Sequence, residues 1–566
     1  MKYPWRGLLL GIVFFSSTIQ AVYLPPVSAK GGMVVTAQRI ASQVGADILQ
    51  QGGNAIDAAV AVGYSLAVVH PCCGNLGGGG FMVIHLANGK NVFINFRETA
   101  PAAISGKDFF DVAGKLTSKA TEGYLAVGVP GTVMGLNTAL KKYGTMPLKK
   151  VMAPAIRLAK RGYLLTKADV AILNTSTQSF KKQPNMAAIF LSHGKPYHPG
   201  QLLKQPELAK TLTLISEKGT QVFYHGKIAK TIVAASQQHG GVLSLQDFAN
   251  YSVVVSKPLF CSYRGYDIVT APPPGSGVTV CEILNIVSTY PLDFYGFHSP
   301  EAVHYDVEAM RYAFADRNQY LGDPAFVENP TQKLLSLAYA EKIRSQIKPK
   351  QAGNSQTIGM RVIEKPNTTH LDVIDAKGNA VSMTYTLNGF FGAKVIAGDT
   401  GFFLNNELDD FALKEGVANQ FKLVQGKANL IAPNKRPLSS MSPTIVMKNN
   451  KLYMLLGAAG GSTIITTIVE TFQNVVDFKR PINDAVNLPR YHMQWLPDKI
   501  YREPFAFSKY TRKTLRSMGY VLQLGSPYGT KTWGQMAAIF IDPKTGLFYG
   551  ENDNGYPAGA AIGVPE

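Results

Sequence analysis

The strongest alternation of apolar and polar positions falls between residues 368 and 388. One apolar row includes Leu371 and Val373, and a second occupies every other position from 381 to 387. The five residues between the rows, 375–379, are Asp-Ala-Lys-Gly-Asn, a composition typical of a turn. Period-two alternation on both sides of a turn predicts a β-hairpin.

The register of this hairpin follows from the length of its loop. A three-residue loop at 376–378, with Gly378 in the left-handed conformation, places Thr368 opposite Thr386. A threonine hydroxyl becomes an effective nucleophile when a base takes its proton. A free α-amine on the same residue serves as that base once the preceding peptide bond is cut. The sequence therefore predicts a buried nucleophile, Thr368, that is exposed by cleavage after Asn367.

Helical periodicity is clearest near the N-terminus of the chain. Apolar residues recur at helical spacing over 38–50 until a glycine pair, and Asn54 can cap a second apolar helix over 55–69. We expect these two segments to form a helix hairpin. The middle of the chain is interpreted as a largely helical scaffold, with a helix start at Ser299 and Pro300.

Short apolar runs bounded by turn residues predict further strands. They occur in pairs on both sides of residue 368, and residues 457–462 are expected to form a loop before a helix that ends near 477. Strand pairs flanked by helices indicate a mixed α and β fold. The predicted strands are 81–84, 91–96, 444–447, 452–456, 535–541 and 547–549.

A glycine-rich run at 74–80 precedes the first of these strands. It lacks the Lys-Ser/Thr pair of a phosphate-binding loop, so we interpret it as a place where backbone segments approach closely. The strand pair that follows ends at Arg97, whose side chain can hold a carboxylate through two parallel hydrogen bonds. The proline-rich segment 272–277 is expected to form a rigid loop near this site. Residues 348–366 are polar and without apolar periodicity, which predicts a flexible segment.

The first 29 residues have the composition of an export signal. Lys2 and Arg6 precede an apolar run at 8–15, and Ala21 and Ala29 are small residues after which a signal peptidase can cut. An uncleaved signal that anchors the protein is the alternative, although the run is short for a membrane span. The mature protein is therefore expected to be periplasmic or secreted.

The sequence of 566 residues carries a formal net charge of +19, and its basic residues are scattered along the chain. This distribution argues against nucleic-acid binding and favours solubility and mild attraction of anionic substrates.

Export would allow disulfides among Cys72, Cys73, Cys261 and Cys281, and the sequence leaves all three pairings open. No spacing of cysteine and histidine predicts a metal site, and no cofactor is expected.

Three motifs give the chain a specific likeness. They are Asn-Thr-Thr-His at 367–370, Asn-Asn-Glu-Leu-Asp-Asp-Phe at 405–411 and Pro-Leu-Ser-Ser-Met-Ser-Pro at 437–443. Together they closely resemble the γ-glutamyltranspeptidase family of N-terminal nucleophile hydrolases, and the resemblance spans nearly the whole exported chain. It implies an α+β fold, a four-layer αββα sandwich built from both products of self-cleavage. The implied parts are a signal peptide at 1–29, a large subunit at 30–367 and a small subunit at 368–566.

The resemblance also implies a site for γ-glutamyl compounds. Such a substrate carries an α-carboxylate and an α-ammonium at one end, so its site needs opposite charges at a fixed distance from the nucleophile. Glu407 stands where some family members carry glutamine. The expected residues are Arg97, Ser439 and Ser440 for the carboxylate, and Asn388, Glu407 and Asp410 for the ammonium.

Attack on an amide carbonyl produces an oxyanion. The consecutive backbone N–H groups at Gly460 and Gly461, just ahead of a predicted helix, can stabilise it. Family members commonly have serine and proline where this chain has alanines at 458–459. Thr386 is expected to orient the Thr368 hydroxyl.

The expected activity is that of a self-processing γ-glutamyltransferase and glutathione hydrolase. Thr368 would attack the γ-glutamyl amide, with glutathione as the expected donor. Water, an amino acid or a dipeptide would then resolve the acyl-enzyme, while the large and small subunits stay associated.

Residues 414–434 have the position and length of a lid, with Phe421 where some relatives have tyrosine.

Three alternatives remain open. A related glutaryl acylase would need no ammonium site, and Glu407 and Asp410 argue against it. An exported ligand-binding relative would keep the pocket without turnover, which the altered residues 458–459 allow. His370 could act as a general base in the style of a serine hydrolase, but it shares the strand face of Thr368 only if the strand is regular there.

Overall fold

Two antiparallel seven-stranded sheets packed face to face form the centre of the protein. The computed structural model describes residues 25–358, 368–417, 425–528 and 533–566. Its strands are β1 (Val27–Ala29), β2 (Gly32–Thr36), β3 (Gly79–His85), β4 (Asn91–Asn95), β5 (Tyr163–Leu164), β6 (Leu202–Leu203), β7 (Val254–Ser256), β8 (Leu259–Tyr263), β9 (Tyr266–Thr270), β10 (Thr369–Asp375), β11 (Ala380–Thr386), β12 (Thr444–Lys448), β13 (Lys451–Ala459), β14 (Tyr491–His492), β15 (Ile500–Arg502), β16 (Leu522–Leu524), β17 (Gln535–Ile541), β18 (Phe548–Asn552) and β19 (Ala560–Val564).

The described residues also form α-helices. They are α1 (Arg39–Gln50), α2 (Ala55–Val69), α3 (Thr132–Tyr143), α4 (Leu148–Arg161), α5 (Lys167–Asn174), α6 (Thr177–Phe180), α7 (Pro184–Phe190), α8 (Pro206–Lys218), α9 (Thr220–Tyr224), α10 (Lys227–Gln238), α11 (Leu245–Asn250), α12 (Gly277–Val287), α13 (Leu292–Tyr295), α14 (Pro300–Tyr320), α15 (Thr331–Leu334), α16 (Leu337–Arg344), α17 (Thr463–Val476), α18 (Ile482–Asn487) and α19 (Lys509–Ser517).

The strand order shows how the two sheets are built. One sheet has the order β1-β18-β17-β13-β12-β9-β8, and the other has the order β19-β2-β10-β11-β3-β4-β7. In the second sheet, β10 and β11 pair with β2 and β3, which come from the part of the chain before residue 368. Each sheet therefore combines strands from both sides of the expected cleavage position.

Side chains of the second sheet divide between two cores. Leu371 and Val373 pack with helices α1 and α2 on the outer face, whereas Ile374 and Ala380 face the first sheet. Helices α12, α14 and α17 belong to the same apolar cluster as the first sheet and pack against it. The layers therefore run helix, sheet, sheet, helix, which confirms the predicted αββα sandwich.

The predicted hairpin is present with the predicted register. Strands β10 and β11 pair Thr369 with Tyr385, which brings Thr368 opposite Thr386. The Asp375 N–H donates to the Asn379 carbonyl at 3.0 Å. Gly378 has a φ of 86°, the left-handed conformation that the loop requires.

Local end signals also predicted the long helices correctly. The Asn54 side chain accepts hydrogen bonds from the second and third backbone N–H groups of its helix, and Asp57 completes the capping box. Ser299 caps α14, and Pro300 occupies its first turn.

The structure corrects one predicted boundary, adds a hairpin to the predicted helical middle, and tests only part of the predicted flexible segment. The predicted loop at 457–462 begins later, because β13 continues to Ala459 beside β17. The middle of the chain also contributes the hairpin β8–β9, whose mixture of exposed and buried residues gave only a weak strand pattern. Residues 348–358 of the predicted flexible segment make specific contacts, since Ser355 is buried and its N–H donates to Asp498 at 2.8 Å. Residues 359–366 of that segment lie outside the described ranges.

The structure selects one of the three cysteine pairings. Cys261 in β8 is bonded to Cys281 in α12, and the adjacent residues Cys72 and Cys73 are bonded to each other.

Within the described ranges, no helix has the length and apolar character needed to span a membrane. The predicted signal segment lies mostly outside those ranges.

The glycine-rich run is a region of close backbone approach, as predicted. A methyl group added at Gly78 would lie 1.9 Å from the Thr386 carbonyl oxygen, and one added at Gly80 would lie 2.3 Å from the Thr384 carbonyl oxygen. These glycines therefore allow the run to lie directly against the end of β11.

Gly78→Ala is expected to lower the free energy of unfolding by about 3 kcal/mol, because the new methyl group meets backbone atoms that cannot move aside cheaply. Gly114→Ala is the control, since that glycine has a φ of 74° but nothing within 4 Å of the added methyl group. Its cost should be only about 1 kcal/mol of backbone strain. Denaturant unfolding measures the free energy of unfolding of both variants, and equal decreases would contradict the steric explanation.

Candidate active site

Thr368 lies at the entrance of β10, and Thr386 is the last residue of β11. The Thr386 hydroxyl donates to the Thr368 hydroxyl oxygen, with 3.4 Å between the two oxygens. The Thr386 oxygen in turn accepts the Asn388 N–H at 2.8 Å. This second bond fixes the orientation of the Thr386 hydroxyl toward Thr368.

His370 is directed into the space between the sheets. Its Nδ1 lies 2.7 Å from the Thr384 hydroxyl, and its Nε2 lies 3.1 Å from Asp372. The ring also fills the space beside Gly457, where an added methyl group would lie 2.2 Å from it. These contacts engage both ring nitrogens and argue against His370 as the base for Thr368.

A glycine turn lies between β13 and α17. Gly460 and Gly461 have φ values of 134° and 57°, which residues with side chains rarely adopt. The Gly460 carbonyl accepts hydrogen bonds from the Thr463 hydroxyl at 2.6 Å and the Tyr528 hydroxyl at 3.0 Å. Because the carbonyl and N–H of a trans peptide point in opposite directions, these bonds direct the Gly461 N–H away from Thr463 and Tyr528.

A buried group of charges lies beside the two threonines. The Arg97 guanidinium is fully buried and forms ion pairs with Glu407 and Asp410. Glu98, the next residue along the chain, lies 3.4 Å from the same guanidinium. Three carboxyl groups therefore surround one cation.

Burial raises the pKa values of all three carboxyl groups, and Arg97 opposes the increase. The pKa of Glu98 rises to about 7, that of Glu407 rises well above its ordinary value, and that of Asp410 rises as well. Glu407 Oε2 has no hydrogen-bond partner among the described residues. An acceptor of this kind, beside excess negative charge, suits a ligand ammonium group.

Two serines close the opposite side of the site. Arg317 donates to the Ser440 hydroxyl at 3.2 Å and to the Ser276 hydroxyl at 2.8 Å. Ser276 then donates to the Ser439 carbonyl at 2.6 Å. The proline-rich loop contributes a further bond, because the Ser439 N–H donates to the Pro274 carbonyl at 2.7 Å. The predicted position of this loop near the site is thereby confirmed.

These elements enclose a small cavity of about 20 Å³, which has room for about one water molecule. Polar groups dominate its lining, and a γ-glutamyl group would have to widen it. The lining residues are Arg317, Thr368, Thr386, Asn388, Glu407, Asp410, Leu438, Ser439, Ser440, Met441, Gly461 and Ile464.

Comparison with known proteins identifies the family of the chain. The model of the gamma-glutamyltranspeptidase family matches residues 41–562. The chain belongs to the γ-glutamyltranspeptidase family. A glutathione hydrolase proenzyme from Pseudomonas sp. (strain A14) is 49% identical over 558 residues, covering 96% of each chain.

Solved structures extend the comparison to the fold. A cephalosporin acylase from Bacillus halodurans superimposes with a TM-score of 0.85 at 28% identity, covering 98% of this chain and 100% of the acylase. A γ-glutamyltranspeptidase from Helicobacter pylori gives a TM-score of 0.58 at 42% identity, covering 59% of this chain and 97% of the solved chain.

Most of the residues predicted from the γ-glutamyltranspeptidase likeness lie together. Thr368, Thr386 and Gly461 line the cavity with all of the predicted ligands except Arg97. Arg97 lies behind Glu407 and Asp410, and Gly460 lines an adjoining cavity. Asn367 and Phe421 lie outside the described residues.

Sequence reasoning missed two charged residues of this candidate site. Glu98 could have been noticed as an acid directly after a predicted strand-end arginine. Arg317 lies in α14, which was interpreted only as scaffold, and the mixture of buried polar residues in that helix was the available signal.

Proposed function

We propose that this member of the γ-glutamyltranspeptidase family is a self-processing γ-glutamyltransferase and glutathione hydrolase whose nucleophile is Thr368. The observation that carries the proposal is the 3.4 Å contact between the hydroxyls of Thr368 and Thr386 at the edge of a cavity lined by charged groups. The turn at Gly460 and Gly461 lies against the same threonine.

Maturation begins with cleavage between Asn367 and Thr368. The products are a large subunit, residues 30–367, and a small subunit, residues 368–566. They remain associated as a heterodimer because both sheets contain strands from each product, so separation would expose the inner core. The Helicobacter pylori chain covers 59% of this sequence, a share close to that of the proposed large subunit, which supports this division.

Turnover uses the amine that cleavage creates. The α-amine of Thr368 takes the hydroxyl proton, and the hydroxyl oxygen attacks the γ-glutamyl carbonyl. Thr386 orients the hydroxyl, and the N–H groups of Gly460 and Gly461 stabilise the oxyanion. The Thr368 α-ammonium returns its proton to the leaving nitrogen as the C–N bond breaks, and the leaving amine departs. Water, an amino acid or a dipeptide then attacks the acyl-enzyme and releases the glutamyl group from Thr368.

The charges of the cavity recognise the two ends of the donor's amino-acid group. Asn388, Glu407 and Asp410 bind its α-ammonium. Arg97, Ser439 and Ser440 bind its α-carboxylate. Since Arg97 already pairs with Glu407 and Asp410, donor binding exchanges partners: the donor carboxylate joins Arg97 as the donor ammonium joins the two acids.

This charge balance also separates the proposal from the acylase alternative. A glutaryl group brings a carboxylate without an ammonium into a site that already has three carboxyl groups around one arginine. A γ-glutamyl group brings both charges and leaves the balance unchanged. The similarity to the cephalosporin acylase supports the fold and does not favour glutaryl substrates.

We propose that the first residues direct export and that the signal is cut after Ala21. The strand β1 pairs with β18 through Val27, Ser28 and Ala29. Cleavage after Ala29 would remove this edge strand, whereas cleavage after Ala21 keeps it. The mature enzyme is then periplasmic or secreted.

Thr368→Ala is expected to leave a single uncut chain with no measurable release of p-nitroaniline from γ-glutamyl-p-nitroanilide, because both steps need the hydroxyl. Intact mass under denaturing conditions and a chromogenic assay provide the two readouts. Thr369→Val is the matched control, since the neighbouring hydroxyl has no hydrogen-bond partner among the described residues. It should be cut and active. A cut or active Thr368→Ala protein would overturn the assignment.

The KM for γ-glutamyl-p-nitroanilide is expected to rise as pH falls from about 8 to about 6. Burial raises the pKa of Glu98 to about 7, so this acid takes up a proton within this range and the site loses negative charge that helps to hold the donor ammonium.

Glutaryl-p-nitroanilide is the control donor for this measurement because it lacks only the ammonium. Protonation of the acids removes repulsion of its carboxylate, so its KM should stay constant or fall over the same range. Parallel increases for both donors would contradict the assigned role of the acids.

A further inference from the structure

A second cavity, of about 210 Å³, adjoins the nucleophile. Its lining and that of the first cavity have only Thr368 in common. If the first cavity takes the γ-glutamyl group, as the proposed function requires, the second receives the group that departs from the acyl carbonyl. Its wall includes Phe390, Gly460, Trp533 and Cys73.

Cys73 brings a disulfide into this wall. The bond joins Cys73 to Cys72, and His70 lines the same cavity with its Nε2 3.5 Å from Cys72 Sγ. Burial lowers the pKa of His70 to about 4, so its imidazole is neutral at physiological pH. A disulfide therefore lies where the leaving group of a thiol-containing donor would pass.

The same two cysteines hold the turn that carries Asn388. The Cys73 carbonyl accepts the Leu387 N–H at 2.9 Å, and the Cys72 carbonyl accepts the Phe391 N–H at 2.7 Å. Within this turn, Asn388 and Phe391 have φ values of 76° and 60°. Non-glycine residues keep such conformations only where surrounding contacts hold them.

We propose that the Cys72–Cys73 disulfide is a redox-sensitive clasp, a bond that holds the turn at 387–391 in place as long as it is intact. Small thiols that enter the second cavity reduce it. This inference rests on the proposed function of Thr368 and Asn388, and it adds a modification site and a form of regulation to that function.

The exchange conserves atoms and electrons. A thiolate attacks Cys73 Sγ, its sulfur bonds to Cys73, and the electron pair of the broken disulfide goes to Cys72 Sγ. A second thiol releases Cys73 and forms the small-molecule disulfide. Two thiols are oxidised, the cysteine pair is reduced, and the two thiol protons end on Cys72 and Cys73. Glutathione and its thiol-containing product are reductants of the required class.

Opening the disulfide has to move the backbone. Cys73 can turn toward the second cavity, but Cys72 is 0% exposed and does not line it, so a separate Cys72 thiol has to make room among packed neighbours. Rotation of the backbone around the Cys72–Cys73 peptide relieves the crowding and turns the carbonyls that hold Leu387 and Phe391. Asn388 then loses its position, and the Asn388 N–H that orients Thr386 moves with it.

The test uses the cleaved enzyme and γ-glutamyl-p-nitroanilide, a donor without a thiol. The variant C261S/C281S leaves Cys72 and Cys73 as the only cysteines of the sequence. We expect dithiothreitol to lower its kcat/KM about tenfold, the effect of losing one or two hydrogen bonds that hold the site. Reoxidation should restore the value. Alkylation and mass spectrometry follow the state of residues 72–73 in the same samples.

The variant C72A/C73A is the control, and its activity should not respond to dithiothreitol. Unchanged activity when residues 72–73 are fully alkylated would overturn the clasp, as would free thiols in the untreated enzyme. An oxidised enzyme that is cut but inactive would instead refute the proposed function, and the clasp would fail with it.

Cysteinylglycine supplies a second readout. Its thiolate should leave a mixed disulfide on Cys73, the cysteine that lines the cavity, which peptide mass spectrometry detects as an added mass. S-methylcysteinylglycine has the same shape near the peptide but no thiol, so it should leave no adduct. An adduct confined to Cys72, or equal adducts on both residues, would contradict the direction of attack.

Discussion

The antiparallel pairing of β10 with β11 is the constraint on which the rest of the site depends. Both strands lie inside a sheet, between β2 and β3, and both faces of that sheet are covered. A shift of register by one residue would exchange the side chains of the two faces and bury the wrong set in each core. Packing over the whole sheet therefore holds Thr368 opposite Thr386.

The charges beside the threonines impose a second requirement. A buried arginine with three carboxyl groups is stable only when its partners stay close and part of the negative charge is protonated. Burial favours such protonation, because it raises the pKa values of Glu98, Glu407 and Asp410. A ligand with both an ammonium and a carboxylate can replace these internal partners without leaving a charge unpaired. These charges thus favour one class of ligand.

Features that depend on neighbouring residues in the chain were predictable. The loop at Gly378, the cap at Asn54 and the close approach at Gly78 each follow from the properties of a few adjacent residues. Features that depend on distant partners were not. Arg317 acquires its role from Ser276 and Ser440, and nothing in α14 alone indicates those partners.

The sequence by itself determined the hairpin, the nucleophile candidate, the family likeness and most of the polar residues that line the cavity, because alternation, turn chemistry and motif spacing are properties of short segments. The tertiary structure alone decided that Arg97 lies behind Glu407 and Asp410, that Glu98 joins them, and which cysteines are bonded. Those outcomes depend on burial and on distances between segments far apart in the chain. Such distances are set by the packing of all the layers together, which no local pattern records.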